Sequence, residues 1–70
     1  MDDTEHRYLV DEIEHARHYG ERVSVMCNDQ RLIGGYIEES DPERFFVRDG
    51  RKRFEVKIAE VLMFDNMDAG

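Results

Sequence analysis

Imidazole and carboxylate groups are the side chains best suited to hold a metal or move a proton, and one stretch of the chain gathers them. Asp11, Glu14, His15 and His18 fall within about 100° of one another on a helical wheel at 100° per residue, and such donors suit zinc or nickel. The same four positions lie opposite the apolar stripe Leu9, Ile13 and Ala16, where a helix meets water. Asp11 with His15 and Glu14 with His18 are ordinary i, i+4 helix pairs, so a solvated face accounts for them without a metal. Cys27 would need a nearby base to become a nucleophile. It alternates with Val23 and Val25, the pattern of a buried thiol. Gly34-Gly35 is followed neither by Lys-Ser/Thr nor by a helix, so no phosphate loop is expected. The chain therefore reads as a binding module without catalytic groups, cofactor or metal.

The binding groups are charged. Arg48, Arg51, Arg53 and Lys57 are expected on the outer face of a hairpin turning at Asp49-Gly50, with Phe46 on the same side as Arg48. Arginines beside an exposed aromatic can stack on and pair with nucleotides. They can equally meet an acidic protein patch, or simply form a solvated strand face. The helix offers the opposite charge through Asp11, Glu12 and Glu14.

Charge as a whole weighs against nucleic acid. The formal net charge is −7, and residues 1–22 hold seven acids and three bases, residues 23–50 six and three, and residues 51–70 four and four. Nucleic-acid affinity comes largely from neutralising phosphates, whereas an acidic balance also serves solubility. No apolar run reaches the ~18–20 residues that span a bilayer, so no membrane association is expected. The start, Met1-Asp2-Asp3-Thr4-Glu5, is acidic where a secretory signal is basic. One cysteine in 70 residues excludes an internal disulfide, and a lone thiol points to a reducing cytoplasm. A chain this short buries only about 60% of its unfolded surface, so assembly with a partner or a second copy is the stabilising aid left to it.

These groups must be positioned by a helix and five strands in one domain spanning residues 1–70. Leu9, Ile13 and Ala16 predict a helix over about 8–19, with acids early, Arg17 and His18 late, and Gly20 at the C-cap. Val23, Val25 and Cys27 predict a first strand, and residues 31–39 a second, both of whose faces are largely apolar. Gly34-Gly35 suggests a bend or bulge within it. Ser40-Asp41-Pro42-Glu43 reads as a turn. Residues 44–48 form the third strand, and Asp49-Gly50 is a strong hairpin signal. Lys52, Phe54, Val56 and Ile58 alternate along a fourth strand. Ala59-Glu60 breaks the chain before a short last strand over 61–64, and residues 65–70 read as a frayed tail. A mainly β chain with one N-terminal helix and five short strands fits a small closed barrel over about 22–64, with the helix over one open end.

This order resembles the Sm-like small barrels, an SH3-like five-stranded architecture. Leu32-Ile33-Gly34-Gly35-Tyr36-Ile37 followed by Asp41 looks like that family's second strand and acidic loop. Sm and Hfq proteins typically carry asparagine after that aspartate and Arg-Gly or Lys-His in the last loop. Here the two stretches are Asp41-Pro42-Glu43-Arg44 and Lys57-Ile58-Ala59-Glu60, and only Lys57 matches the basic member. Two bacterial groups are similar in layout. YolD-like proteins share the pattern of Glu39-Ser40-Asp41-Pro42 and Arg48-Asp49-Gly50, and Rof antiterminators, which bind the Rho helicase, share the helix–barrel order and acidic balance. The resemblance implies a regulatory module that docks on a larger protein machine through Asp11, Glu12 and Glu14 or through the basic hairpin. The alternatives are an RNA- or DNA-binding barrel using Phe46, Arg48, Arg51 and Arg53, and a self-assembling structural protein whose open barrel edges join into a homo-oligomer.

Overall fold

The computed structural model describes residues 3–68. Helix α1 spans Asp3–Tyr19 and begins one turn earlier than the apolar stripe requires, with Asp3 and Glu5 in its first turn. Carboxylates there meet the positive end of the helix dipole. Its buried residues are Leu9, Ile13 and Ala16, the i, i+4, i+7 stripe of the sequence. The helix stops at Gly20, whose φ of 64° costs a Cβ-free residue nothing. The Gly20 amide donates to the Arg17 carbonyl at 3.3 Å and the Glu21 amide to the Ala16 carbonyl at 2.9 Å. Together they make the paired C-terminal cap that satisfies otherwise orphaned carbonyls.

Five antiparallel strands follow: β1 (Arg22–Cys27), β2 (Leu32–Ser40), β3 (Arg44–Asp49), β4 (Lys52–Lys57) and β5 (Val61–Asn66), with a 3-10 turn at Ile58–Glu60. They lie in the order β4-β3-β2-β1-β5. Alternation places Val23, Val25, Cys27, Ile33, Ile37, Phe45, Val47 and Val56 inward, where they join Ile58, Val61 and the helix stripe in one core. Phe64 meets Phe45 edge to face at 6.2 Å, a geometry aromatic rings favour. The fold is the mainly β, one-helix small barrel that the sequence indicates.

Several expectations need correction. The ladder does not close: β4 pairs only with β3 and β5 only with β1, so two strand edges stay unpaired among the described residues. The face of β2 carrying Leu32, Gly34 and Tyr36 points outward, leaving Leu32 69% and Tyr36 52% exposed. The β1–β2 register is regular through Gly34 and Gly35, and the irregularity in β2 falls between Ile37 and Glu39. Gly35 answers a different need, because a Cβ there would collide with the backbone carbonyl of Arg48 on β3. The hairpin turns on Gly50 and Arg51, with Asp49 facing Lys52. Of the two central residues only Gly50 has positive φ, the pattern of a II′ turn, so the glycine sits one place earlier than an Asp-Gly turn would put it. Residues 65–68 are not a frayed tail. Asp65 and Asn66 continue β5, the Met67 amide donates to the Arg22 carbonyl at 2.8 Å, and the Arg22 amide donates to an Asp68 carboxylate oxygen at 2.8 Å. Residues 69–70 of the expected tail lie outside the described residues.

Candidate functional site

The outer face of the sheet divides along β2. On the β3–β4 side the ladder sets like charges opposite one another, Arg48 facing Arg53 and Arg44 facing Lys57, which by itself is destabilising. The irregularity after Ile37 brings two successive acids, Glu38 and Glu39, alongside. Arg48 donates to both oxygens of Glu38 at 2.6 and 3.2 Å. Arg53 donates to Glu38 at 3.0 Å and to Glu39 at 3.2 Å. Its guanidinium lies 4.2 Å from the centre of the Phe46 ring. Arg44 is held by Glu55 at 2.9 Å. The hydrogen bond from Arg48 holds the Glu38 carboxyl below the ordinary carboxylate range, reinforced by the charges of Arg48 and Arg53 and opposed by some desolvation. Arg48 in turn is raised, first by that bond. The expected arginine–aromatic cluster therefore exists, but its charges are spent on one another. Arg51 sits in the turn rather than on the face, and Arg51, Lys52 and Lys57 carry no ion pair among the described residues.

On the β1–β5 side the outer face carries an apolar row. Met26 faces Leu32 on β2 and Met63 on β5, so three large side chains form one row across three strands. Ser24 faces Gly34 and Asp65 in the next row, and Arg22 faces Tyr36 in the one after. Small residues between two rows of large ones make a groove, whose lining includes Arg22, Ser24, Leu32, Gly34, Met67 and Asp68. Leu32 and Tyr36 are four residues apart on one strand, about 13 Å at a rise of ~3.3 Å. Tyr36 also faces Arg48 across β3, so an exposed phenol ring stands between two arginines. The outward placement of this β2 face is not marked by its apolar content, since both faces of the strand are largely apolar. Its one available signal was that Leu32, Gly34 and Tyr36 share parity with each other but not with Ile33 and Ile37, and only one set can face the core.

The helix groups stand apart from this groove. Asp11 and Glu14 are exposed and Glu12 half-buried, with no ion pair among the described residues. Tyr8, Asp11, Glu12 and His15 line a shallow hollow with Asn66. His15 stands 3.1 Å from Glu21 and its ring 4.6 Å from that of Tyr19, while His18 meets Tyr19 edge-on. No group of three or more His, Cys, Asp or Glu able to hold a metal occurs among the described residues. Cys27 is buried, and burial pushes its thiol up from the ordinary value. The β2–β3 turn is organised by Asp41, whose carboxylate accepts the amides of Glu43 at 2.7 Å and Arg44 at 3.0 Å. Those two bonds hold its pKa down. His6 reaches the carbonyl of Pro42 at 2.7 Å and ties the helix to that turn. No helix among the described residues is long and apolar enough to cross a membrane.

One helix packed on a five-stranded antiparallel sheet in this order defines an Sm-like small barrel. Among solved structures the chain is similar to an Hfq protein from Anabaena sp., with 10% identity over 84% of this chain and 95% of that one, at a TM-score of 0.72. It is also similar to a structure of the pleiotropic translational regulator Hfq, with 15% identity over 94% of this chain and 97% of that one, at a TM-score of 0.73. No family model matches the sequence, and no curated protein matches it. The likeness is one of fold, and the YolD-like and Rof layouts remain resemblances of sequence alone.

Proposed function

We propose that the chain is a non-catalytic Sm-like barrel that binds single-stranded nucleic acid, RNA before DNA, through the outer face of β1, β2 and β5. The observation that carries this reading is the exposed Leu32–Met26–Met63 row beside the hollow lined by Arg22, Ser24 and Gly34, on a fold shared with a translational regulator. Bases stack on tyrosine and apolar side chains regardless of the net charge of the protein, each contact being worth about 1–3 kcal/mol. Phosphate contacts fall to Arg22 on the same face and to Arg51, Lys52 and Lys57 on the hairpin, cations that have no carboxylate partner among the described residues.

The unpaired edges support assembly. The β4 edge carries Lys52, Arg53 and Lys57 against one acid, Glu55, while the β5 edge carries Asp65. Edge pairing of β4 with β5 of a second copy joins opposite charges and covers two exposed ladders. Such a head-to-tail contact closes into a ring when its rotation allows.

Titrating labelled single-stranded RNA at low and moderate salt, with light scattering on the same samples, tests both parts. A particle larger than a monomer that binds RNA with shallow salt dependence is the expected result. A monomer indifferent to RNA overturns it. That outcome would favour the reading in which Asp11, Glu12 and Glu14 dock on a basic protein surface, and charge reversal at those three would then abolish capture of the partner.

A further inference from the structure

Three of the four methionines of the chain sit on the outer strip: Met26 is 39% exposed, Met63 53% and Met67 61%. Methionine is ordinarily a buried residue, and exposed methionines are over-used on adaptable binding surfaces. The ladder sets Met26 directly opposite Met63. Facing residues of an antiparallel pair share one side of the sheet, with Cβ atoms about 4.5–5.5 Å apart, so the two thioethers are neighbours beside Leu32. Edge pairing of β5 would leave Met63 accessible, because its side chain stands on the face rather than in the ladder plane. The cysteine sulfur is shielded: Cys27 is fully buried, and desolvation disfavours the thiolate through which cysteine reacts.

We propose that Met26 and Met63 form a paired oxidation site that switches the outer face between an apolar, ligand-binding state and a polar, released one, an inference that rests on the reading of that face as the binding surface. The oxidant is a hydroperoxide. The sulfur lone pair attacks one peroxide oxygen, the S–O bond forms as the O–O bond breaks, and the sulfur gives up two electrons. The other oxygen leaves, as water in the case of hydrogen peroxide. The product sulfoxide is polar and chiral, and methionine sulfoxide reductases restore the thioether. Both side chains point away from the core, so the conversion changes the surface and leaves the barrel intact.

The test is graded hydrogen peroxide treatment of the full chain. Peptide mass mapping gives the sites, retention on a hydrophobic-interaction column gives the polarity of the face, and RNA titration gives binding. The expected result is one oxygen on each of Met26 and Met63 before any on Cys27, unchanged circular dichroism, earlier elution, and affinity lowered about tenfold. The reductases reverse both shifts. The double variant Met26→Leu/Met63→Leu, whatever its untreated affinity, shows a smaller peroxide-induced shift in retention and in affinity than the parent, and the residual response follows oxygen on Met67. Oxidation of Cys27 first, or a double variant that responds like the parent, overturns the proposal. An untreated protein without RNA affinity overturns the proposed function instead, and column retention with site mapping then decides the oxidation site by itself.

Discussion

The β1–β5 half and the β3–β4 half of the outer face share strand β2, yet they use exposed surface in opposite ways. The β3–β4 half carries four formal cations on two strands, Arg44, Arg48, Arg53 and Lys57, and meets three of them with Glu38, Glu39 and Glu55. The β1–β5 half leaves Leu32, Met26, Met63 and Tyr36 in water with nothing over them. A surface whose charges are mutually satisfied has little left to offer a ligand. A surface that exposes a row of apolar side chains gains from being covered. On the proposed reading, the apolar row is a better guide to the binding face than the concentration of charge.

The two glycines at the boundary give the largest contrast. Gly35 abuts the Arg48 carbonyl, so Gly35→Ala forces β2 and β3 apart, whereas at Gly34 the nearest atom to a new Cβ is the Val23 carbonyl at 3.8 Å, an ordinary contact. Chemical denaturation should show Gly35→Ala less stable by roughly 3 kcal/mol and Gly34→Ala within about 0.5 kcal/mol of the parent. Equal effects at the two positions would mean that the halves are not joined through a tight β2–β3 crossing. The next contrast separates binding from stability. Leu32→Ser with Tyr36→Ala should lower RNA affinity about tenfold or more with little change in melting temperature. Arg53→Ala should do the reverse: it loses two exposed ion pairs and a cation–π contact, about 1 kcal/mol of stability in all, while RNA affinity shifts less than about threefold. If Arg53→Ala cost more affinity than the groove variant, the assignment of the halves would be inverted.

Much of the fold was legible because it rests on local periodicity. Leu9, Ile13 and Ala16 mark the buried stripe of α1, Val23, Val25 and Cys27 that of β1, and Gly20 the helix stop. Each depends on neighbours in sequence alone. The features that were not legible depend on distant partners. Nothing around Asp65 and Asn66 announces a strand, since their order comes from pairing with Ser24 and Val23 and from the bond between Asp68 and the Arg22 amide. The outward face of β2 looks apolar and hence internal, and only the fact that Ile33 and Ile37 already fill the core decides otherwise. Neutralisation of Arg48 and Arg53 was hidden because Glu38 lies ten and fifteen residues away and reaches them through an irregularity in β2. Phe46, Arg48, Arg53 and the helix acids Asp11, Glu12 and Glu14 are placed as surface groups, and their part in binding rests on the variants described here.

Salt sharpens the comparison further. With Arg48 and Arg53 engaged, the phosphate-facing cations reduce to Arg22, Arg51, Lys52 and Lys57, so the logarithmic salt slope for single-stranded RNA should be no steeper than about −3, taking ~0.7 per neutralised phosphate. Replacing Arg51, Lys52 and Lys57 by glutamine should bring it near −1 while the groove keeps its base contacts. A slope much steeper than −3 in the parent would show that the ion network opens on binding and releases its arginines to the ligand.

The smallest expected effect isolates that network without any ligand. Glu38 titrates below its ordinary 4.5 in the folded chain because the Arg48 hydrogen bond favours the carboxylate. As the pH falls, the unfolded chain takes up this proton before the folded chain does. The contribution of Glu38 to stability is therefore whole above about pH 4.5 and is lost as the pH drops through the lowered folded value. Asp41 behaves likewise below its ordinary 3.8 because the Glu43 and Arg44 amides favour its charged form, but it belongs to the turn and not to the outer face. Glu38→Gln keeps the size of the side chain and removes the titration. The gap in melting temperature between parent and Glu38→Gln should be largest near neutral pH and should close below pH 4.5, with the Asp41 contribution common to both proteins. A gap that stayed constant down to pH 3 would mean that Glu38 acts by shape and not by charge. The β3–β4 half would then lose its claim to be the electrostatic clasp of the barrel.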